Sequence, residues 1–439
     1  MGIRDILMLV LGAACVPLAL YDAYYGLLAY SWLSFMRPQS VVWSSEVQNA
    51  RITFAVAAAL LVRVLFTEGP KVRFRAPTVL FLGLWAWYGV AAWASKHPDL
   101  SLPIFYDFCK IGVAVALITG LVRTRSQLKW LIVLLALCPG FYAAKLGLFF
   151  VQGGEATHHG GPIGSDNNDT ALFIAMSIPM LVFAVSEIRD RRARYGLYAA
   201  AALAVPGVIV TTSRGGMLAM VAAVALTLWR KTTWWKGALV AGAAAVAALA
   251  IVPAQTYERY ETIGEYEADK SAMGRIQAWQ TSIAMANDRP LVGVGFGMPA
   301  YLAEYNNYKK DEHDYPHVAH SVWFSVLGEA GYVGLGLYVA LVVSSLWMAR
   351  RVRRLAAGLG REGGTWARDY ASMIECTIGT FAVGATFLSK VTFEFGYAVF
   401  VLVVPLLALV EKEVAATAAA RQGEPHAAGA MAGGLLVRT

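Results

Sequence analysis

The chain has 439 residues, of which 58% are hydrophobic and only 15% charged, and it carries a formal net charge of +8. Soluble chains hold about a quarter charged residues, so this composition, with its mean hydropathy of +0.53, excludes a soluble multidomain protein and makes the bilayer the solvent. Cys15, Cys109, Cys138 and Cys376 all lie in apolar stretches, which excludes a disulfide framework and a clustered zinc site.

A hydrocarbon core of about 30 Å needs about 20 apolar residues in helix. Such stretches lie near residues 5–36, 47–66, 77–95, 103–122, 130–151 and 169–187, then near 195–212, 215–229, 235–252, 320–348, 371–389 and 395–411. The expected fold is all-α, a polytopic membrane protein with about twelve transmembrane helices. Residues 1–252 carry the first nine, 253–319 form an outer loop with an amphipathic helix, 320–411 carry three more, and 412–439 form a cytoplasmic tail. The first run is too long for a signal peptide and lacks a cleavage site, so it reads as one long, tilted or broken span.

Lysine and arginine gather in alternate connectors: Lys71, Arg73 and Arg75; Arg123, Arg125 and Lys129; Arg189 to Arg194; and Arg350 to Arg354. Cytoplasmic connectors carry that excess, which places both termini inside and puts 152–168, the turn 213–216 and the loop 253–319 outside. The outer loop holds six basic against ten acidic residues, a net of −4. The overall positive charge is therefore a topology signal: membrane lipids are expected partners and nucleic acid is not.

Charges that disobey the orientation rule are the informative ones. Arg214 lies in Thr211-Thr212-Ser213-Arg214-Gly215-Gly216, an outer turn between two spans. An unpaired arginine within a bundle costs roughly 2.5–3.5 kcal/mol on insertion scales. Here the guanidinium can grip phosphate oxygens bidentately while the glycines admit a bulky anion to the backbone; the alternative is snorkelling to lipid phosphates. Arg275 follows Ser271, a possible helix cap, and shares a face with Trp279 on a helix whose Ile276, Trp279 and Ile283 recur at helical spacing. Its plainer reading is a solvated helix arginine.

His313, His317 and His320 precede the span at 320–348. With no cysteine in the loop and Pro316 before His317, a metal site is disfavoured. His320 opens the span at the membrane surface, where a neutral imidazole can take a proton from an acceptor hydroxyl. Further candidate substrate contacts are Arg289, Lys110, Lys145, Asn168, His317 and Lys390. Lys110 and Lys145 either line a cavity for an anionic head group or snorkel, and Asp107 is placed to pair with Lys110. Lys390 and Glu394 lie in the last outer turn. His158, His159, Asp166, Asn167, Asn168 and Asp169 form a polar outer segment that either binds sugar hydroxyls or is simply solvated.

These motifs resemble the O-antigen ligase and polymerase superfamily. The resemblance rests on Ser213-Arg214-Gly215-Gly216, on Gly274-Arg275 with Trp279 and then Leu291-Val292-Gly293-Val294-Gly295, and on His320-Ser321 followed by Gly331-Tyr332-Val333-Gly334. It covers roughly Gly160 to Val410, while Ser34-Phe35-Met36-Arg37-Pro38 resembles the ligase subgroup found beside exosortase systems. The resemblance implies a GT-C-like, inverting, metal-independent glycosyltransferase without a cofactor. It would move a preassembled glycan from undecaprenyl diphosphate to a hydroxyl of lipid A-core, at the periplasmic side of the bacterial inner membrane. Arg214 and Arg275 would then hold the diphosphate and His320 would act on the acceptor. A polymerase or a protein O-oligosaccharyltransferase would use the same donor. A glycan transporter is the reading from another class, and the lack of internal repeats and the one-sided polar residues argue against it.

Overall fold

A computed structural model describes residues 2–42, 44–68, 71–154, 166–232, 270–311, 314–388 and 390–423. Among the described residues the regular elements are all helices. In chain order these are α1 (Ile3–Tyr21), α2 (Ala23–Met36), α3 (Ser45–Asn49), α4 (Ile52–Arg63), α5 (Ala76–Trp93), α6 (Pro98–Leu121), α7 (Arg125–Val151), α8 (Asn167–Ala184), α9 (Arg191–Ile209) and α10 (Arg214–Lys231). They continue as α11 (Lys270–Asp288), α12 (Met298–Tyr308), α13 (Val322–Ala357), α14 (Gly360–Gly363), α15 (Thr365–Gly384) and α16 (Glu394–Gly423). Among the described residues, seven helical segments are long and apolar enough to cross a membrane. The shorter or more polar α2, α9, α10 and α15, and the long α16, pack beside them, and the span expected at 235–252 lies outside the described residues.

The first apolar run is two helices, not one long span. The Asp22 carboxylate accepts the amides of Tyr24 and Tyr25 at 2.9 and 3.0 Å, capping α2 and ending α1. Gly26 then lies so close to α1 that a Cβ there would stand 2.9 Å from Ala19 Cα. The pair is a hairpin. Its open end brings Asp5 to the Ser44 amide at 3.2 Å, whereas beside its closed end Tyr24 donates to the Gln127 carbonyl at 2.6 Å.

The basic connectors do meet at one end of the bundle, the end of Asp22 and Gln127. Arg125 pairs with Glu187 at 2.8 Å, and Arg230 and Arg353 share Glu375 at 2.5 and 3.1 Å. Arg75 and Arg351 share Glu411 on α16 at 2.5 and 3.0 Å. The start of α1 therefore lies at the opposite end from the C-terminal half of α16, against the expectation that both termini share one side.

The centre is held by α8, whose most apolar stretch is 89% buried, packed between α7, α9, α10 and α15. At the far end from the basic connectors, α13 is broken at Gly331, with φ 70 and ψ −172. A break frees backbone groups that the bilayer cannot satisfy, and the glycine-rich segment after α11 takes them up. Val294 N–H donates to the Gly328 carbonyl at 2.9 Å, Gly295 N–H to the Glu329 carbonyl at 3.3 Å, and Tyr332 N–H to the Pro290 carbonyl at 2.8 Å. Gly297 N–H donates to the Glu329 carboxylate at 2.8 Å, and the Trp87 indole to the Ala330 carbonyl at 3.1 Å. At Gly293, with φ +64, a Cβ would stand 2.3 Å from the Gly328 oxygen. The two glycine patterns read in the sequence are thus the two sides of one contact, which fixes α11 against α13.

Candidate active site

The turn before α10 is built from its cap. Ser213 Oγ accepts the Gly216 amide at 2.9 Å and donates to Asn168 Oδ1 at 2.6 Å, which joins the N-terminus of α10 to that of α8. Asn168 Nδ2 in turn donates to the Asp166 carboxylate at 2.7 Å. The glycines after Arg214 serve packing rather than access for an anion. A Cβ on Gly216 would stand 2.2 Å from Ala171 Cβ, and one on Gly215 would stand 2.3 Å from Phe387 Cβ. Arg214 itself is half-buried at the first position of α10.

Phe387 carries the second arginine. The Arg275 guanidinium lies over its ring at 5.9 Å from the centroid, within reach of a cation–π attraction. The helix bearing Arg275 is described from Lys270, so Ser271 lies inside it and not ahead of it as a cap. Trp279, one turn on, donates to the Ala319 carbonyl at 2.8 Å and stacks on Phe324 at 4.8 Å, which holds α11 along the start of α13. His317 bonds the Gly274 carbonyl through Nε2 and the Tyr315 carbonyl through Nδ1, the latter at 2.6 Å. With both nitrogens engaged, it pins the loop to the residue before Arg275 and is not a free substrate contact.

His320 closes the group. Its φ of 46 is left-handed, as is the φ of 54 at Thr212, two residues before Arg214. Such a conformation costs a non-glycine residue of order 1–3 kcal/mol and persists only where the surroundings impose it. The imidazole is held below its ordinary pKa of 6.5, first by burial and then by the Arg275 guanidinium, against the opposing charge of Asp166. Next to it, Ser321 Oγ is buried without a hydrogen-bond partner among the described residues, and Val322 N–H donates to the Ala385 carbonyl at 2.8 Å. The N-termini of α8, α10 and α13 therefore gather around Arg214, Arg275 and His320, adding the positive ends of three helix dipoles to two guanidiniums. That arrangement can hold a polyanion beside a neutral base.

The remaining candidates separate from this group. Arg289 donates to the Ala94 carbonyl at 2.6 Å and stands fourteen residues, roughly 21 Å of helix rise, from Arg275, so it ties α11 to the α5–α6 connection. Lys145 is exposed on α7. Lys110 pairs with Asp107 at 2.5 Å, as the spacing suggested, and lines a separate lateral cavity. Lys390 lines a small cleft with Arg37 and Glu394, which pair at 4.0 Å. His158, His159 and His313 lie outside the described residues. Sequence reasoning overlooked Arg51 and Phe387. Arg51 breaks the orientation rule as Arg214 does and was open to the same test, whereas an isolated phenylalanine in an apolar stretch gives no such signal.

Fold and site together define a polytopic membrane protein in which two guanidiniums and an imidazole gather at one end of the bundle. Residues 199–339 match the family described as O-antigen ligase, and residues 3–189 match a family of unknown function (DUF5935). A search of curated proteins finds no match. The match over 199–339 supports a relation to the O-antigen ligase and polymerase superfamily, whose members are glycosyltransferase-like ligases and polymerases working on lipid-linked glycans in a membrane.

Proposed function

We propose that this protein is an O-antigen ligase, an inverting glycosyltransferase that moves a preassembled glycan from undecaprenyl diphosphate to a hydroxyl of lipid A-core. The observation that supports it is the gathering of Arg214, Arg275 and His320 around three helix N-termini, from positions far apart in the chain. The acceptor oxygen attacks the anomeric carbon from the face opposite the diphosphate, and the bond between that carbon and the phosphate oxygen breaks. The hydroxyl proton passes to the neutral His320 imidazole. The charge that develops on the departing diphosphate falls between the Arg214 and Arg275 guanidiniums, the electrostatic work a divalent metal does elsewhere. No retaining-type carboxylate pair is needed for this single displacement. In this reading the site end faces the periplasm, the basic end faces the cytoplasm, and Ser34 to Pro38 support a ligase of the kind found beside exosortase systems.

The test is transfer by the purified protein from lipid-linked glycan to rough lipopolysaccharide. His320→Ala should abolish it, and product at the full rate removes the base assignment. Transfer should persist in EDTA, and activity lost there but restored by Mg2+ or Mn2+ overturns the metal-independent mechanism. Parallel arms offering a second lipid-linked glycan or an acceptor protein separate the ligase from a polymerase or a protein oligosaccharyltransferase.

A further inference from the structure

A lateral cavity of about 860 Å³ opens between α2, α4 and α6, within the ~300–1,000 Å³ range of ligand sites. Its walls are apolar: Leu33 on α2, Phe54, Ala57 and Leu61 on α4, and Val113 on α6. Arg37, Arg51 and Glu394, at the ends of α2, α4 and α16, line one end of it, and Lys110 lines it partway along α6. Arg37 is matched by Glu394 and Lys110 by Asp107, while Arg51 has no ion pair among the described residues, so the mouth is cationic. An apolar trough with a cationic mouth fits an amphiphile with an anionic head.

The mouth lies at the same end of the bundle as the arginine site. Arg37 and Glu394 also line the adjoining cleft with Lys390 and Phe173. Phe173 lies five residues, about 7.5 Å of helix rise, from the Asn168 that holds Ser213. Lys390 is three residues beyond the Phe387 that packs on Gly215. We propose that this cavity takes the isoprenoid chain of the diphosphate-linked donor, with the head at Arg214 and Arg275; this rests on the function proposed above. The walls belong to residues 3–189, so the part that matches a family of unknown function would supply the lipid pocket to the transferase domain.

The probe is geranylgeranyl diphosphate with a photoreactive group at its hydrocarbon end, added to the purified full chain in detergent. Crosslinks should fall on α2 and α4. Ala57→Trp, and the milder Ala58→Leu, should weaken its binding, by about tenfold for the tryptophan, which displaces two or more buried methylenes. Binding of inorganic pyrophosphate should stay unchanged in both variants, which also shows that they fold. Crosslinks confined to other helices, or full binding of the probe by both variants, overturn the proposal. So does displacement of the probe by phosphatidylglycerol vesicles as effective as by unlabelled geranylgeranyl diphosphate. If Arg214→Ala and Arg275→Ala leave pyrophosphate affinity unchanged, the arginine assignment fails by itself, and the crosslink pattern still decides the cavity.

Discussion

At the scale of single residues, the proposed role of His320 requires a neutral imidazole. Burial and the Arg275 charge hold its pKa below 6.5, so the base form should predominate at pH 7 and transfer should fall only as the pH drops through that depressed value. The sign of each neighbour is testable in the pH–rate profile. Arg275→Gln removes a cation and should move the acid limb upward, while Asp166→Asn removes an anion and should move it further down. An acid limb that stays in place in both variants means that the group seen in the profile is not His320. The arginines call for a different measurement. Arg214→Ala or Arg275→Ala should each cost about 10²–10³ in turnover, as the loss of one oxyanion donor does, and lysine should restore only part, since a point charge does not reproduce the planar fork. Full rescue by lysine at both positions would show that charge alone is used. Arg214 and His320 were legible in the sequence because each is a polar group at the end of a span, where the membrane penalises one, whereas Arg275, a loop residue, stood out only through the family resemblance. What was not legible was their support. Arg289 and His317 looked equivalent to Arg275 as loop residues, and only the fold shows that one ties α11 to a distant turn while the other pins the residue before Arg275.

At the scale of elements, the site depends on how α11 and α13 are held together. The contact between the 291–297 segment and the break at Gly331 does this through backbone hydrogen bonds, which leave no room for a side chain at Gly293. Gly293→Ala should therefore lower the thermal midpoint in detergent, by an amount equivalent to about 1–3 kcal/mol, and reduce transfer as Arg275 and His320 lose register. Gly336→Ala is the control, because a Cβ there meets nothing within 4 Å, and it should be neutral or slightly stabilising. Equal midpoints for the two variants would show that the contact does not hold the helices. The sequence displayed both glycine patterns but not their pairing, because periodicity reports which face of one helix is buried and says nothing about which distant segment covers it. The hairpin at Asp22 escaped for a related reason. A single aspartate in an apolar run of some thirty residues looks like a tolerated polar position, and its role as the cap that reverses the chain appears only with the amides of Tyr24 and Tyr25.

At the scale of the whole molecule, the hairpin decides which side of the membrane the first helix starts from. The rule that Lys and Arg mark the cytoplasmic side assigned the later connectors to one end, and their ion pairs gather there. The same rule, applied with one long first span, put the N-terminal end with them, whereas the Asp5–Ser44 contact puts it at the end that carries the site. Single cysteines in a background lacking Cys15, Cys109, Cys138 and Cys376 separate the two arrangements. A membrane-impermeant maleimide added to intact cells stripped of their outer membrane should label Ser45→Cys and Tyr315→Cys, which are exposed at the site end. It should reach Ser126→Cys and Ser186→Cys, exposed at the basic end, only after the inner membrane is permeabilised. Gly2→Cys is the decisive position. Labelling alongside Ser45→Cys is the expected result, because α1 then descends from the site end and α2 returns to it, delivering Arg37 to the cavity mouth. Labelling only after permeabilisation, in company with Ser126→Cys, would mean that α1 and α2 cross as one span and that the hairpin is wrong.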